Sequence, residues 1–346
     1  MKTIQTYETV KQEGILLNAN ENPRPLSEAV MAEILEAIKD LPLNRYPDTD
    51  ETELLQAYGK WLGLDEKMLL AGNGSDQMLG YLIGTFLGRD KILYTFDPDF
   101  SMYDYYAGSY EAKVRKFAIN EDGSLDIDTF IEEGRKNNAA LVMFSNPNNP
   151  SGHCLSLSEC EKITAAFAPV PVVIDEAYIE FADEESAVQL LDRYDNLYVT
   201  RTLSKAFGLA GIRVGFLISD PQNMAALKSA FVPYALNALS MKAACVVLAH
   251  SDEVQEFTAM IRRERRRMLT ALSGSQRARY IASQANFIYG ISEDKERLME
   301  LLKEAGIVIR NYKGSRNFRV TISVPEENDL VLDVLKKFEE EKTCGQ

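Results

Sequence analysis

The stretch that decides the fold is VTRTLSKAFGLAGIRVGF, Val199–Phe216. It opens as a short apolar run, sets Lys205 just behind it, and continues into a small, Gly-containing apolar segment. A lysine is ordinarily a solvated surface residue. Buried here, its pKa would fall and its amine would become a workable Schiff-base nucleophile. Ser204 and Arg213 flank it with a hydroxyl and a fixed cation, the pair that neutralises a phosphate. Taken alone, Arg213 reads equally well as half of an ordinary ion pair.

Working outward, residues 50 to 220 alternate helical patterns with short apolar runs. ETELLQAYGKWLG precedes MLLAG, DQMLGYLIGTFLG precedes KILYTF, and a helix near 126 to 136 precedes AALVMFS. SLSECEKITAAFA and PVVID follow, then NLYVTR and VGFLIS. This order predicts an α/β architecture with a largely parallel sheet covered by helices on both faces. Beyond residue 236 the pattern changes to a long helix-like stretch, 236 to 272, then QANFIYGI, a helix ending at EAGIVIR, FRVTIS and a final amphipathic helix. That part reads as a smaller α+β unit. Near the N-terminus, SEAVMAEILEAIKD forms a helix with Ser27 as N-cap.

In an open parallel sheet, ligands bind outside the C-terminal ends of the strands, and three further motifs fall there. AGNGSDQ, residues 71–77, is a Gly-rich turn into a helix. Its exposed N–H groups suit a phosphate, although Ser75 or Asp76 acting as N-cap would give the same turn without a ligand. SNPNNPSG, residues 145–152, is an irregular loop in which Asn149 can aim its amide at a ligand oxygen or merely turn the chain. VVIDEAYIEF, residues 172–181, ends a buried strand in Asp175, and an ionised Asp there needs a partner. That partner is either the following segment, which Asp175 would cap, or a protonated heterocyclic nitrogen, with Tyr178 donating to a phenolate oxygen.

Composition narrows the function classes. Of 346 residues, 46% are hydrophobic and 26% charged, which is ordinary for a soluble folded chain. The net charge of −14 disfavours nucleic acid as a partner, and anionic substrates must then be met by local arginines. The basic run IRRERRRM, residues 261–268, lies inside a helical pattern and reads as a solvated helix face. Cys154, Cys160, Cys245 and Cys344 form no CxxC pair, and only His153 and His250 are available beside them, so no metal site is expected. No apolar segment is long enough to span a bilayer, and the expected compartment is the cytoplasm. Neither GxGxxG nor GxxxxGK[ST] occurs, which argues against a plain nucleotide-binding protein.

Taken together and in this order, the motifs resemble the fold type I pyridoxal 5′-phosphate (PLP) enzymes, the aspartate aminotransferase superfamily, over nearly the whole chain. LNANENPRP, NRYPD, GNGSDQ, SNPNNPSG, DEAYIEF and RTLSKAFGLAGIRVGF are similar to those of histidinol-phosphate aminotransferases within the class II subgroup. The resemblance implies a large domain with a mostly parallel seven-stranded sheet, residues 41–235. It also implies a small domain of residues 236–346, joined by an N-terminal arm and helix, residues 1–40.

The same resemblance supplies residue roles. Lys205 carries PLP as a Schiff base and then shuttles a proton, Asp175 keeps the pyridine nitrogen protonated, and Asn149 and Tyr178 bind the ring oxygen. Phe100 in DPDF stacks on the ring where many relatives have tyrosine. Gly74, Ser75, Asp76, Ser204 and Arg213 hold the phosphate, completed by Tyr46 of a neighbouring subunit, which implies a homodimer with shared active sites. Arg319 in FRVT receives the substrate's anionic group and Arg310 in VIRNYKG adds a second contact, while Tyr7 and Asn20 line the pocket.

The chain departs from the pattern at Thr6, where a proline is usual, and at Gln77, where an acid is usual. The implied reaction is transamination of L-histidinol phosphate with 2-oxoglutarate in histidine biosynthesis. An aromatic amino acid aminotransferase, a threonine phosphate decarboxylase and a non-catalytic PLP-binding regulator remain the alternatives.

Overall fold

The computed structural model describes residues 13–341, and Tyr7 and Cys344 lie outside the described residues. The elements begin with β1 (Ile15–Leu17), α1 (Glu28–Ile38), α2 (Thr52–Leu62), β2 (Leu69–Gly72), α3 (Ser75–Phe86), β3 (Ile92–Asp97), α4 (Met102–Ser109) and β4 (Lys113–Ala118). They continue with α5 (Ile127–Lys136), β5 (Leu141–Ser145), α6 (Leu157–Phe167), β6 (Val172–Asp175), β7 (Leu197–Thr202), β8 (Gly215–Ile218), α7 (Pro221–Ala230), α8 (Ala238–Ala249) and α9 (Ser251–Leu272). The last are β9 (Arg279–Tyr280), β10 (Phe287–Ile291), α10 (Lys295–Glu304), β11 (Ile307–Asn311), β12 (Asn317–Thr321) and α11 (Pro325–Glu340).

Seven strands form the larger sheet in the order β2, β8, β7, β6, β5, β3, β4. The last five pair in parallel, and β8 runs antiparallel between β2 and β7. Alternate side chains serve opposite faces, as the two-residue period of a strand requires. Met143, Val173 and Leu217 pack with Met78, Leu82 and Tyr103 of α3 and α4. Val142, Phe144, Val172 and Ile174 pack with Phe130 and Ile163 of α5 and α6 on the other side. Each such fully buried side chain contributes about 1.5–3 kcal/mol, so the central strands read as unbroken apolar runs.

Where the sequence reading differs from the structure, the reasons are local. It has no strand at β4, because KVRKFA is an edge strand whose charged, largely exposed side chains break the apolar run. The helix-like stretch from 236 to 272 is two helices, broken at His250, whose φ −100 and ψ 44 are not helical. Asp252 and Glu253 suit the new N-terminus that follows. The run Arg262–Arg267 is a solvated face only at Arg263, Arg266 and Arg267. Arg265 is buried and donates to the carbonyls of Phe181 (2.9 Å) and Ala285 (3.0 Å), and Arg262 donates to Glu180 (2.7 Å) and Ala182 (3.0 Å). The carbonyls of Glu180, Phe181 and Ala182 lie at the end of a short helical turn, Ile179–Phe181, so two arginines of the run tie the segment behind Asp175 to α9.

The smaller sheet has the order β1, β11, β12, β10, β9, with β1 parallel to β11. Ser27 caps α1 by accepting from the Val30 N–H at 3.2 Å, as expected. The pairing of β1 brings the LNANEN segment, which follows it, over the end of the larger sheet.

Candidate active site

Ser145, Asp175 and Thr200 are partners in adjacent strands, so the loops leaving β5, β6 and β7 open at one level. β3 is followed by β4 on one side and β5 on the other, which makes its C-terminal end a switch point and opens a crevice there. A cavity of about 590 Å³ occupies this place, walled by those loops, the start of α3, the 18–19 segment, and residues of β10, β11 and β12 with their hairpin.

Lys205 lies three residues past β7 at the cavity floor. Its ammonium is packed round by protein and donates to the Ala19 carbonyl at 2.8 Å, while part of the side chain faces the cavity. Burial first, then the charge of Arg319, lowers its pKa to about 8. Asp175 ends β6 and is buried. Its two oxygens accept from Thr200 Oγ1 (2.9 Å) and the Tyr103 hydroxyl (3.0 Å), yet burial outweighs both bonds and raises its pKa to about 6. A cation beside it would hold the acid ionised, and among the described residues none forms an ion pair with it.

The anion side is built at the start of α3. Gly74 is its N-cap at φ 83, and no side chain caps the helix, so neither Ser75 nor Asp76 fills that role. First-turn N–H groups have no intrahelical acceptor and suit an anion. The φ of 83 at Gly74 favours glycine, and a Cβ there would meet Arg213 Nη2 at 2.5 Å and displace the guanidinium from the cradle. Arg213 itself adopts φ 55 and donates to Ser204 Oγ (3.1 Å), the Ala210 carbonyl (3.2 Å) and Asp76 (3.3 Å).

On the opposite wall, Arg319 of β12 is buried and donates to the side-chain oxygen of Asn149 and to the Asn18 carbonyl (3.0 Å), while its Nε has no hydrogen-bond partner among the described residues. Asn20 donates to the Tyr178 hydroxyl at 3.0 Å, joining the two sheets across the cavity wall. Arg310 lines the same cavity with its guanidinium 5.7 Å from the Tyr312 ring, and Phe100 forms another wall, edge-on to Tyr103 at 5.7 Å. Tyr46 is not in this cavity. It is 80% exposed and stacks on Tyr234 with ring centroids 4.5 Å apart.

Residues 12–335 match the model of a family described as aminotransferase class I and II. The chain belongs to that family. The histidinol-phosphate aminotransferase of Chlorobaculum tepidum is 35% identical over 343 residues, 96% of this chain and 98% of that protein. The crystal structure of histidinol-phosphate aminotransferase from Sinorhizobium meliloti in complex with pyridoxal-5′-phosphate matches with a TM-score of 0.86 at 24% identity, covering 97% of each chain. L-threonine-O-3-phosphate decarboxylase from Porphyromonas gingivalis matches with a TM-score of 0.81 at 23% identity, covering 94% of this chain and 100% of that one. At such identities the structural likenesses speak for the fold alone. As a class I and II aminotransferase the chain works with pyridoxal 5′-phosphate.

The cavity of this aminotransferase also contains groups that the sequence reading passed over. Asp99 lines it beside Phe100, and burial pushes the Asp99 carboxyl up to about 8, with the charge of Asp175 adding to the effect. Tyr103, Thr200 and Ser145 bind one or other of these acids. In the sequence Asp99 and Tyr103 stand only as part of an Asp-Pro-Asp that starts with the last residue of β3 and as a tyrosine one helical turn beyond Phe100, a spacing that does not connect them to Asp175 or Ser145.

Proposed function

We propose that the chain transaminates L-histidinol phosphate with 2-oxoglutarate, giving imidazole acetol phosphate and L-glutamate. The observation that carries this reading is a buried lysine of lowered pKa set between an anion cradle, a buried acid and a second arginine in one cavity. Relatives at about 35% identity over nearly the full chain, named histidinol-phosphate aminotransferases, support the substrate.

The residues fit the cofactor part by part. Arg213, Ser204 and the backbone amides of Gly74, Ser75 and Asp76 hold its phosphate. Asp175 holds a proton on its ring nitrogen, and the positive charge there offsets the burial that raises the acid's pKa. Asn149 and Tyr178 bind its ring oxygen, and Phe100 covers a ring face. Bound there, PLP supplies a conjugated ring that withdraws electrons from the substrate α-carbon. Lys205, free to lose its proton near neutral pH, binds the cofactor and then moves a proton at that carbon. Arg319 and Arg310 receive the phosphate of the amino donor or the carboxylates of its partner, and Asn20 orients Tyr178 from the N-terminal segment. Tyr7, outside the described residues, belongs to the same reading as a pocket residue.

We further propose a homodimer in which Tyr46 reaches the partner's phosphate site. Tyr46 and Tyr234, 80% and 45% exposed, stack on each other at the surface, an exposed aromatic pair of a kind that protein contacts cover. The pairing of β1 with β11 supports grouping residues 1–40 with 236–346, apart from 41–235.

The test is a half-reaction followed by visible absorbance. Histidinol phosphate is expected to bleach the PLP-loaded protein, and 2-oxoglutarate to restore it. Bleaching by L-phenylalanine alone would move the substrate to aromatic amino acids. Carbon dioxide release from threonine phosphate would move it to the decarboxylase.

A further inference from the structure

Asp99 has no role in the reading above, yet its carboxyl is packed round by protein at the cavity wall. Three donors converge on it. The Phe100 N–H reaches Oδ1 at 2.7 Å, the Ser145 hydroxyl reaches the same oxygen, and the Ser145 N–H reaches Oδ2 at 3.2 Å. Ser145 Oγ also accepts from the Asn149 N–H at 2.9 Å, and the Asn149 side-chain oxygen accepts from Arg319. One hydrogen-bonded relay therefore runs from the loop after β3, across the end of β5, to the arginine on β12.

The relay does not depend on the charge of Asp99. An ionised carboxyl accepts the Ser145 proton; a neutral one donates to Oγ, which keeps a lone pair for the Asn149 N–H. Asparagine would retain the two bonds at Oδ1 but would turn its amide NH₂ toward the Ser145 N–H, losing the third. Alanine would leave two buried N–H donors without acceptors.

We propose that Asp99 is a positioning residue that, through Ser145, fixes the backbone at Asn149 and so sets where Asn149 and Arg319 meet the ligand. This rests on the reading of the cavity as the PLP and substrate site. It predicts that disturbing Asp99 alters bound cofactor although the hydrogen bonds of its carboxyl go to Phe100 and Ser145 and not to Asp175 or the phosphate cradle.

The test begins with apoprotein, free of cofactor chemistry. Hydrogen exchange at the Asn149 amide is compared among the wild type, Asp99→Ala, Ser145→Ala and the double variant. Each single variant is expected to exchange about ten-fold faster, with β6 and β7 unchanged and the double variant no faster than the faster single. PLP titration then follows. Asp99→Ala is expected to weaken binding about ten-fold and shift the visible absorbance of bound PLP, and Asp99→Asn to recover most of both.

Wild-type exchange in Asp99→Ala, or additive effects in the double variant, would overturn the relay. Faster exchange with unchanged PLP affinity and spectrum would overturn the positioning role and leave the cofactor reading standing. Failure of the wild type to bind PLP would overturn that reading and the role with it.

Discussion

Lys205 combines concealment with reactivity. Its amine is held at a pKa of about 8 by burial and by Arg319, against 10.5 for a free lysine side chain. At pH 7 roughly one amine in ten is then neutral, compared with roughly one in three thousand at the unshifted value. The neutral amine is the form that attacks a carbonyl. Covalent capture of PLP by apoprotein is accordingly expected to slow about ten-fold for each pH unit below about 8 and to level off above it. Stopped-flow absorbance from pH 6 to pH 9 checks this, and a rate flat across that range would contradict the buried-amine account. Arg319 is a cation that depresses Lys205, so its replacement by methionine should also move the midpoint upward.

At the level of elements, the site depends on how closely α3 approaches the sheet. A Cβ at Gly215 of β8 would lie 2.1 Å from the Ser75 N and 2.4 Å from the Gly74 carbonyl carbon, both backbone atoms that cannot swing aside. Gly215→Ala is therefore expected to push the anion cradle away from β8. The predicted cost is about 1–3 kcal/mol of stability, read by denaturant unfolding, together with a loss of PLP affinity; an unchanged protein would show that the approach is not needed.

The same close packing explains what the sequence revealed. β2, β3, β5, β6, β7 and β8 were legible because their faces are buried and they read as apolar runs between helices. β4 was not, because an edge strand keeps its charges. Residues inside motifs, such as Lys205, Asp175 and Asn149, could be picked out. Asp99 and Tyr103 could not, because their meaning comes from strands β5 and β6 lying beside β3 and α4, a neighbourhood created by the sheet order rather than by spacing along the chain. Arg262 and Arg265 misled for the same reason, since the Glu180 and Phe181 carbonyls they satisfy lie 82 and 84 residues away.

On the scale of the whole molecule, the two sheets meet at the cavity. Arg319 comes from the smaller sheet and Asn149 from the larger, and Asn20, carried by the chain after β1, holds Tyr178. Tyr46 stays outside, stacked on Tyr234 at the surface. Sedimentation is expected to show a dimer of two 38.9 kDa chains, and Tyr46→Ala to weaken PLP binding about ten-fold through loss of one hydrogen-bonding hydroxyl. A monomer that binds PLP with unaltered affinity in that variant would refute the shared site.

The central claim is that Lys205 carries the cofactor. The most direct measurement is borohydride reduction of the PLP-loaded protein followed by peptide mass spectrometry. The account predicts a pyridoxyl group on the peptide containing Lys205 and nowhere else, whereas a label on another lysine, or none, would contradict it.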